Sequence, residues 1–178
     1  GHEGATITHG EGYLLESFLQ KPKEPVPFEE AVLFDDLILP IFEQKCISCH
    51  NTRKAKGELI LTSMKTLLNG GKSGDLFVKG HPEKSTLMER VFLPLDDEEH
   101  MPPSGKTQLT SDEVAILSQW IKHKAEAQLK LASLPSSDSL YLLCEKTLAV
   151  KSVEAICDFP DADQETISEL NNAYRVIQ

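Results

Sequence analysis

Five consecutive residues, Cys46-Ile47-Ser48-Cys49-His50, carry a spacing that points to one particular chemistry. A Cys-x-x-Cys-His sequence is typical of the covalent attachment of a c-type haem. The two thiols can form thioether bonds with both vinyl groups of the haem, and the adjacent histidine is then held under the iron as its proximal ligand. We therefore predict that Cys46, Cys49 and His50 bind haem c.

A structural zinc site and a redox dithiol are the alternatives for the Cys-x-x-Cys pair. Zinc would need two further ligands, and the remaining cysteines, Cys144 and Cys157, are far apart in the chain and lack a ligand-like spacing. A thioredoxin-like dithiol follows a strand and opens a helix, whereas no strand-like run precedes Cys46. The sequence therefore favours haem.

A second iron ligand is predicted in the stretch His100-Met101-Pro102-Pro103. A methionine thioether commonly binds the other side of a haem that already has a histidine ligand, and it raises the reduction potential. The two prolines fix φ and present Met101 on a rigid, non-helical segment. His100 is the rival ligand. Met64 and Met88 fall on apolar helix faces and are expected to fill the core.

The period of the apolar residues predicts an all-α fold. One helix is expected from about Phe28 to His50, where Pro40 marks a kink or the true start, so that the cysteines stand at its C-terminal end. Shorter helices are predicted over Ser63–Leu68 and Glu83–Phe92. A long helix is predicted over Asp112–Leu131, opened by Thr110 and Glu113 at capping-box spacing.

The segments between these helices give weaker signals. Gly57–Leu61 is expected to form a short strand or turn, and Gly74–Gly80 a buried extended segment that carries Leu76, Phe77 and Val78. Ser85 is a candidate N-cap. Trp120 either touches the haem or fills the crossing with the cysteine-bearing helix, and the second role is the default.

The formal net charge of −10 argues against nucleic-acid binding, because phosphate contacts would have to overcome general repulsion. No apolar run is long enough to span a membrane, and no signal peptide is visible. Since haem c is normally attached outside the bacterial plasma membrane, we expect a periplasmic or other extracytoplasmic module of a longer protein. Its export signal or anchor would lie upstream.

The domain division that we predict has three parts. Residues 1–30 form a loop-rich N-terminal arm and linker, residues 31–131 the haem domain, and residues 132–178 a helical C-terminal extension with helices over 138–150 and 163–174. In the arm, His2 and His9 are compatible with a metal or second haem, but an exposed polar arm is favoured. In the extension, Cys144 and Cys157 form either a disulfide or a pair of buried free thiols.

The stretch from about residue 35 to 127 resembles the c-type cytochrome domain of planctomycete and Bacteroidetes extracytoplasmic proteins. The resemblance implies a cytochrome c-like helical fold with His50 and Met101 as axial ligands. A glycine expected near the end of the last helix is absent, and His123-Lys124-Ala125 stands there. The opening segments His2–Ala5 and Thr8–Gly12 are similar to segments that precede such domains in membrane-tethered Bacteroidetes proteins. The matching pieces are Leu39-Pro40-Ile41, Cys46–His50, Gly57–Ser63, Val78–Ser85, Met101-Pro102-Pro103 and Trp120-Ile121.

The function that we predict is electron transfer by a single haem, not enzymatic catalysis. The partners would be a redox protein and other domains of the parent chain. The acidic run Asp96–Glu99 is either a site that steers a Lys-rich partner or a solvated loop. Two alternatives stay open: a haem sensor or peroxidase-like domain in which Met101 is labile, and an adaptor module in which the haem is structural.

Overall fold

The structure, a computed structural model, describes residues 26–156. Within that range it is helical, and its β pairing is limited to isolated bridges. The predicted all-α class is confirmed. The helices, in chain order, are α1 (Leu39–Lys45), α2 (Met64–Leu67), α3 (Thr86–Phe92), α4 (Ser111–Lys122) and α5 (Ser139–Ile156). A π-helical stretch, Phe34–Ile38, leads into α1, and short 3-10 helices cover Lys56–Glu58, Pro82–Lys84 and Leu131–Ser133.

The helix that leads to the cysteines is shorter than predicted at both ends. Its π-helical part ends at Ile38, and Pro40 stands in the first turn of α1, where π-helical hydrogen bonding gives way to α-helical hydrogen bonding. The helix ends at Lys45, and the amide of Cys46 donates to the carbonyl of Phe42 at 2.8 Å. Pro40 therefore marks the start of the α-helical part, and the cysteines follow its C-terminal end.

The prediction that the last haem-domain helix runs to Leu131 is wrong. α4 ends at Lys122, and the next residues turn away through Lys124 and Ala125, which adopt left-handed backbone angles with φ of 64° and 51°. This is the place where the resemblance leads one to expect a glycine, which adopts positive φ at little cost. Beyond the turn, Leu131 is buried, and its amide donates to the carbonyl of Ala31 at 3.0 Å.

The predictions for the segments between the helices are confirmed only in part. Gly57–Leu61 opens in a 3-10 turn instead of a strand. In Gly74–Gly80, Leu76 and Phe77 are buried as predicted, but Val78 is 40% exposed. Ser85 precedes α3 at the N-cap position without capping it, because its hydroxyl donates to the carbonyl of His81 at 2.8 Å and accepts from the amide of Val78.

Trp120 lies at the centre of the hydrophobic core and is fully buried. The rings of Phe77, Phe34 and Phe42 surround it, with centroids 5.1, 5.9 and 6.4 Å from that of Trp120. Since Phe42 belongs to α1 and Trp120 to α4, the aromatic cluster joins these two helices. The default prediction, that Trp120 fills the helix crossing, agrees with this packing.

α5 contributes to the same core, because Leu140 and Cys144 are fully buried in it. The division at residue 131 stays a prediction. None of the helices within residues 26–156 has the length and apolar character needed to cross a membrane. Several predicted features lie outside the described residues: most of the N-terminal arm with His2 and His9, the helix over 163–174, and Cys157.

Candidate functional site

The residues Cys46–His50 form a tight turn at the C-terminal end of α1. The amides of Cys49 and His50 both donate to the carbonyl of Cys46, each at 3.1 Å. Both cysteines are half-buried free thiols. The structure therefore brings the two predicted attachment thiols and the predicted proximal ligand together on one turn of the chain.

Asn51, to which the sequence assigned no role, holds this turn in shape. Its side-chain amide donates to the carbonyl of Ile47 at 2.7 Å, and its Oδ1 accepts from the amides of Arg53 and Lys54 at 2.9 and 3.1 Å. The ammonium group of Lys54 donates to the carbonyl of Ser48 at 2.8 Å. An asparagine followed by a polar loop is a typical signal of such a side-chain-stabilised turn.

The imidazole of His50 is half-buried, and its Nδ1 is fully buried without a hydrogen-bond partner. Burial lowers the pKa of His50, and the carbonyls of Lys56 and Leu59 oppose that shift. The backbone of His50 is fixed, since its carbonyl accepts from the amide of Leu61 at 2.9 Å. At neutral pH the ring is therefore neutral, which is the form that binds metals.

Burial shields the thiol of Cys46 from solvent. Burial raises its pKa to about 12, the negative charges of Glu113 and Cys49 act in the same direction, and Lys45 opposes them. This thiol stays protonated at neutral pH, so it is a poor nucleophile toward soluble reagents.

Met101 lies on a separate loop, after α3. It is half-buried, its amide donates to the carbonyl of Arg90 at 3.0 Å, and its peptide bond to Pro102 is cis. The rival ligand His100 is buried, and both of its ring nitrogens face oxygen atoms. Nδ1 lies 2.8 Å from the carbonyl oxygen of Leu93, and Nε2 lies 2.9 Å from Oε1 of Gln108.

The residues of the turn fit a covalently bound haem. They offer two free thiols at the required spacing and a neutral imidazole whose buried Nδ1 is unpartnered. In addition, the described residues contain no group of three or more His, Cys, Asp or Glu side chains that could hold a metal ion.

Within the described residues, the fold is all-α and the turn carries a sequence typical of c-type haem attachment. Residues 46–105 match the family model described as Planctomycete cytochrome C. This match confirms the resemblance seen in the sequence: residues 46–105 are consistent with a cytochrome c domain of the planctomycete type, which suggests a haem-binding role. No curated protein and no solved structure shows significant similarity to the chain.

Proposed function

We propose that this domain carries one haem c, bonded through thioethers to Cys46 and Cys49, with His50 and Met101 as axial ligands, and that it transfers electrons. The observation that carries the proposal is the family match over residues 46–105, which begins at the first cysteine and includes Met101. Bound there, the haem would supply reversible one-electron chemistry.

The contacts of His100 support Met101 as the second ligand. A neutral imidazole carries one N–H, so His100 donates either from Nδ1 to the carbonyl of Leu93 or from Nε2 to the amide oxygen of Gln108, and moving the ring to the iron would break that bond. Because the ring is buried, the abandoned oxygen would lose its partner in a site with little water, at a cost of about 1–3 kcal/mol. Met101 faces no such cost at its sulfur, since the hydrogen bond that it donates uses its backbone amide.

Each protein residue has a distinct part in this proposal. Cys46 and Cys49 would hold the haem covalently at the C-terminal end of α1, and the neutral imidazole of His50 would supply a nitrogen ligand to the iron. A Met101 thioether, a soft neutral donor, would favour ferrous iron and so raise the reduction potential. With both axial positions filled by protein, the domain would serve as an electron carrier.

The test is the visible spectrum of the haem-loaded protein, oxidised and then reduced. We expect sharp low-spin reduced bands and the weak far-red band that reports a bond between Met sulfur and ferric iron. Met101→Leu should abolish the far-red band, whereas Met64→Leu, the matched control at a partly buried core position, should keep it. A wild-type protein without that band refutes Met101 ligation. Rapid binding of carbon monoxide by the reduced protein would instead favour a sensor or peroxidase-like domain.

The partner that we propose is a redox protein with a basic surface, met outside the cytoplasm, where other parts of the parent protein would hold this domain. Support comes from the exposed acidic run Asp96–Glu99, which shortly precedes Met101, although Glu99 also pairs with Arg90. Electron-transfer rates to a Lys-rich carrier should then fall as salt is added, and rates indifferent to salt would contradict the steering role.

A further inference from the structure

The side chain of Gln108 is the centre of a hydrogen-bond network around the Met101 loop. Its Nε2 lies 3.1, 3.0 and 3.0 Å from the carbonyl oxygens of Pro102, Pro103 and Lys106, all of which can accept from it. Its Oε1 faces Nε2 of His100 at 2.9 Å. One amide group thus closes the loop that follows Met101 and also holds the residue that precedes it.

The backbone of Gln108 connects this loop to the helix that carries the first cysteine. The ammonium group of Lys45 donates to the carbonyl of Gln108 at 3.0 Å and lies 3.6 Å from a carboxylate oxygen of Glu113. The side chain of Lys45 is only 9% exposed, and the next residue in the chain is Cys46. Gln108 is therefore in contact with both segments that would hold the haem.

From this geometry we infer that Gln108 is a positioning residue that selects the second iron ligand: it restrains the ring of His100 and fixes the loop on which Met101 is presented. The inference rests on the proposed haem function. His100 and Met101 are adjacent in the chain, so a modest loop rearrangement suffices to exchange one for the other. Two sets of contacts oppose that exchange: the bond that His100 donates to Oε1 of Gln108 when its ring proton is on Nε2, and the bonds that Gln108 donates to the loop carbonyls.

The two restraints act through different atoms of the Gln108 side chain, so two substitutions can separate them. Gln108→Ala removes both the acceptor for His100 and the donor for the three carbonyls. Gln108→Glu keeps an oxygen that accepts from His100 but removes the donor. Gln44→Ala is the matched control, because Gln44 is an exposed glutamine on α1.

The measurements are the far-red Met–iron band, the spin state and the reduction potential of the haem-loaded full chain, together with far-UV circular dichroism to verify folding. We expect Gln108→Ala to lose most of the far-red band while the iron stays low-spin, and to have a lower reduction potential, because imidazole replaces the thioether. Gln108→Glu should keep the band at low temperature and lose it on warming before the wild type does. Gln44→Ala should match the wild type throughout.

A third variant identifies the incoming ligand. If His100 replaces Met101 in Gln108→Ala, then adding His100→Ala to that variant removes the low-spin species and yields either the far-red band or high-spin iron. Persistence of the low-spin species without the band would overturn the inference, as would a Gln108→Ala protein with the wild-type band and potential. A wild-type protein that itself lacks the band would refute the His50/Met101 ligation and, with it, the inference. A wild-type protein that has the band, together with an unaffected Gln108→Ala variant, would refute the inference alone.

Discussion

Replacing Lys124 by glycine is expected to stabilise the protein, although glycine usually weakens a structure. Lys124 has a φ of 64°, in the left-handed region, and its side chain is exposed, so the substitution removes no buried contact. The left-handed conformation costs an ordinary residue about 1–2 kcal/mol. Glycine avoids this cost but makes the unfolded chain more flexible, which offsets about 0.4–1 kcal/mol. The expected net gain is therefore about 0.5–1 kcal/mol.

Thermal and denaturant unfolding of the haem-loaded protein measure this gain, which for a chain of this size corresponds to a rise in Tm of about 1–4 °C. Lys122→Gly is the matched control: it removes the same charge from another exposed lysine at the end of α4, but at a helical position. There glycine should destabilise by about 1 kcal/mol. If both substitutions destabilise the protein equally, the left-handed turn at Lys124 is not the source of strain that we assign to it.

Three further outcomes are expected. Asn51→Ala should lower the stability of the haem-free protein by about 0.5–1.5 kcal/mol and reduce the yield of attached haem, because two amides and a carbonyl of the turn lose their side-chain partner; unchanged unfolding and yield would contradict the role of Asn51. Cys144 is a fully buried free thiol, so it should react with a thiol reagent in the denatured protein but not in the folded protein; a thiol that reacts equally fast in both states would contradict its burial. Burial and the charge of Asp138 raise the pKa of Cys144 from 9.0 to about 12, so the contribution of this thiol to stability is complete below pH 9 and declines as the pH rises toward 12. Cys144→Ala should therefore be less stable than the wild type at pH 7 but lose less stability between pH 9 and 12; parallel plots of unfolding free energy against pH would refute this.

The sequence was sufficient where the interactions are local. The capping box of Thr110 and Glu113 forms as predicted, with the Glu113 carboxylate accepting from the amide of Thr110 at 2.7 Å and the Thr110 hydroxyl from the amide of Glu113 at 3.2 Å. The turn at Cys46–His50 is likewise built from residues close together in the chain, so its spacing alone indicates its chemistry. Pro40, for which the sequence left a kink or a helix start open, stands where the π-helical stretch passes into α1.

The end of α4 could not be predicted in this way, because apolar residues continue at helical spacing through Leu129 and Leu131. The chain leaves the helix because these residues pair with a distant segment: the amide of Leu33 donates to the carbonyl of Leu129, and the amide of Leu131 to the carbonyl of Ala31. Tertiary contacts thus override a local pattern that favours helix. The unfavourable backbone angles at Lys124 are tolerated for the same reason.

The distinction between local hydrogen bonds and contacts between distant segments also divides the candidate site into two halves, which differ in their sensitivity to mutation. Its proximal half, from Cys46 to Asn51, is held mainly by hydrogen bonds within a few residues, so a substitution there should act on haem attachment. Its distal half also depends on a contact between distant segments, the hydrogen bond from Lys45 to the carbonyl of Gln108. Under the proposed function, a distant substitution would therefore alter the second ligand, and with it the reduction potential, while the covalent bonds to the haem would stay intact. Sequence motifs identify the first half well because it is local, and only the folded structure reveals what holds the second.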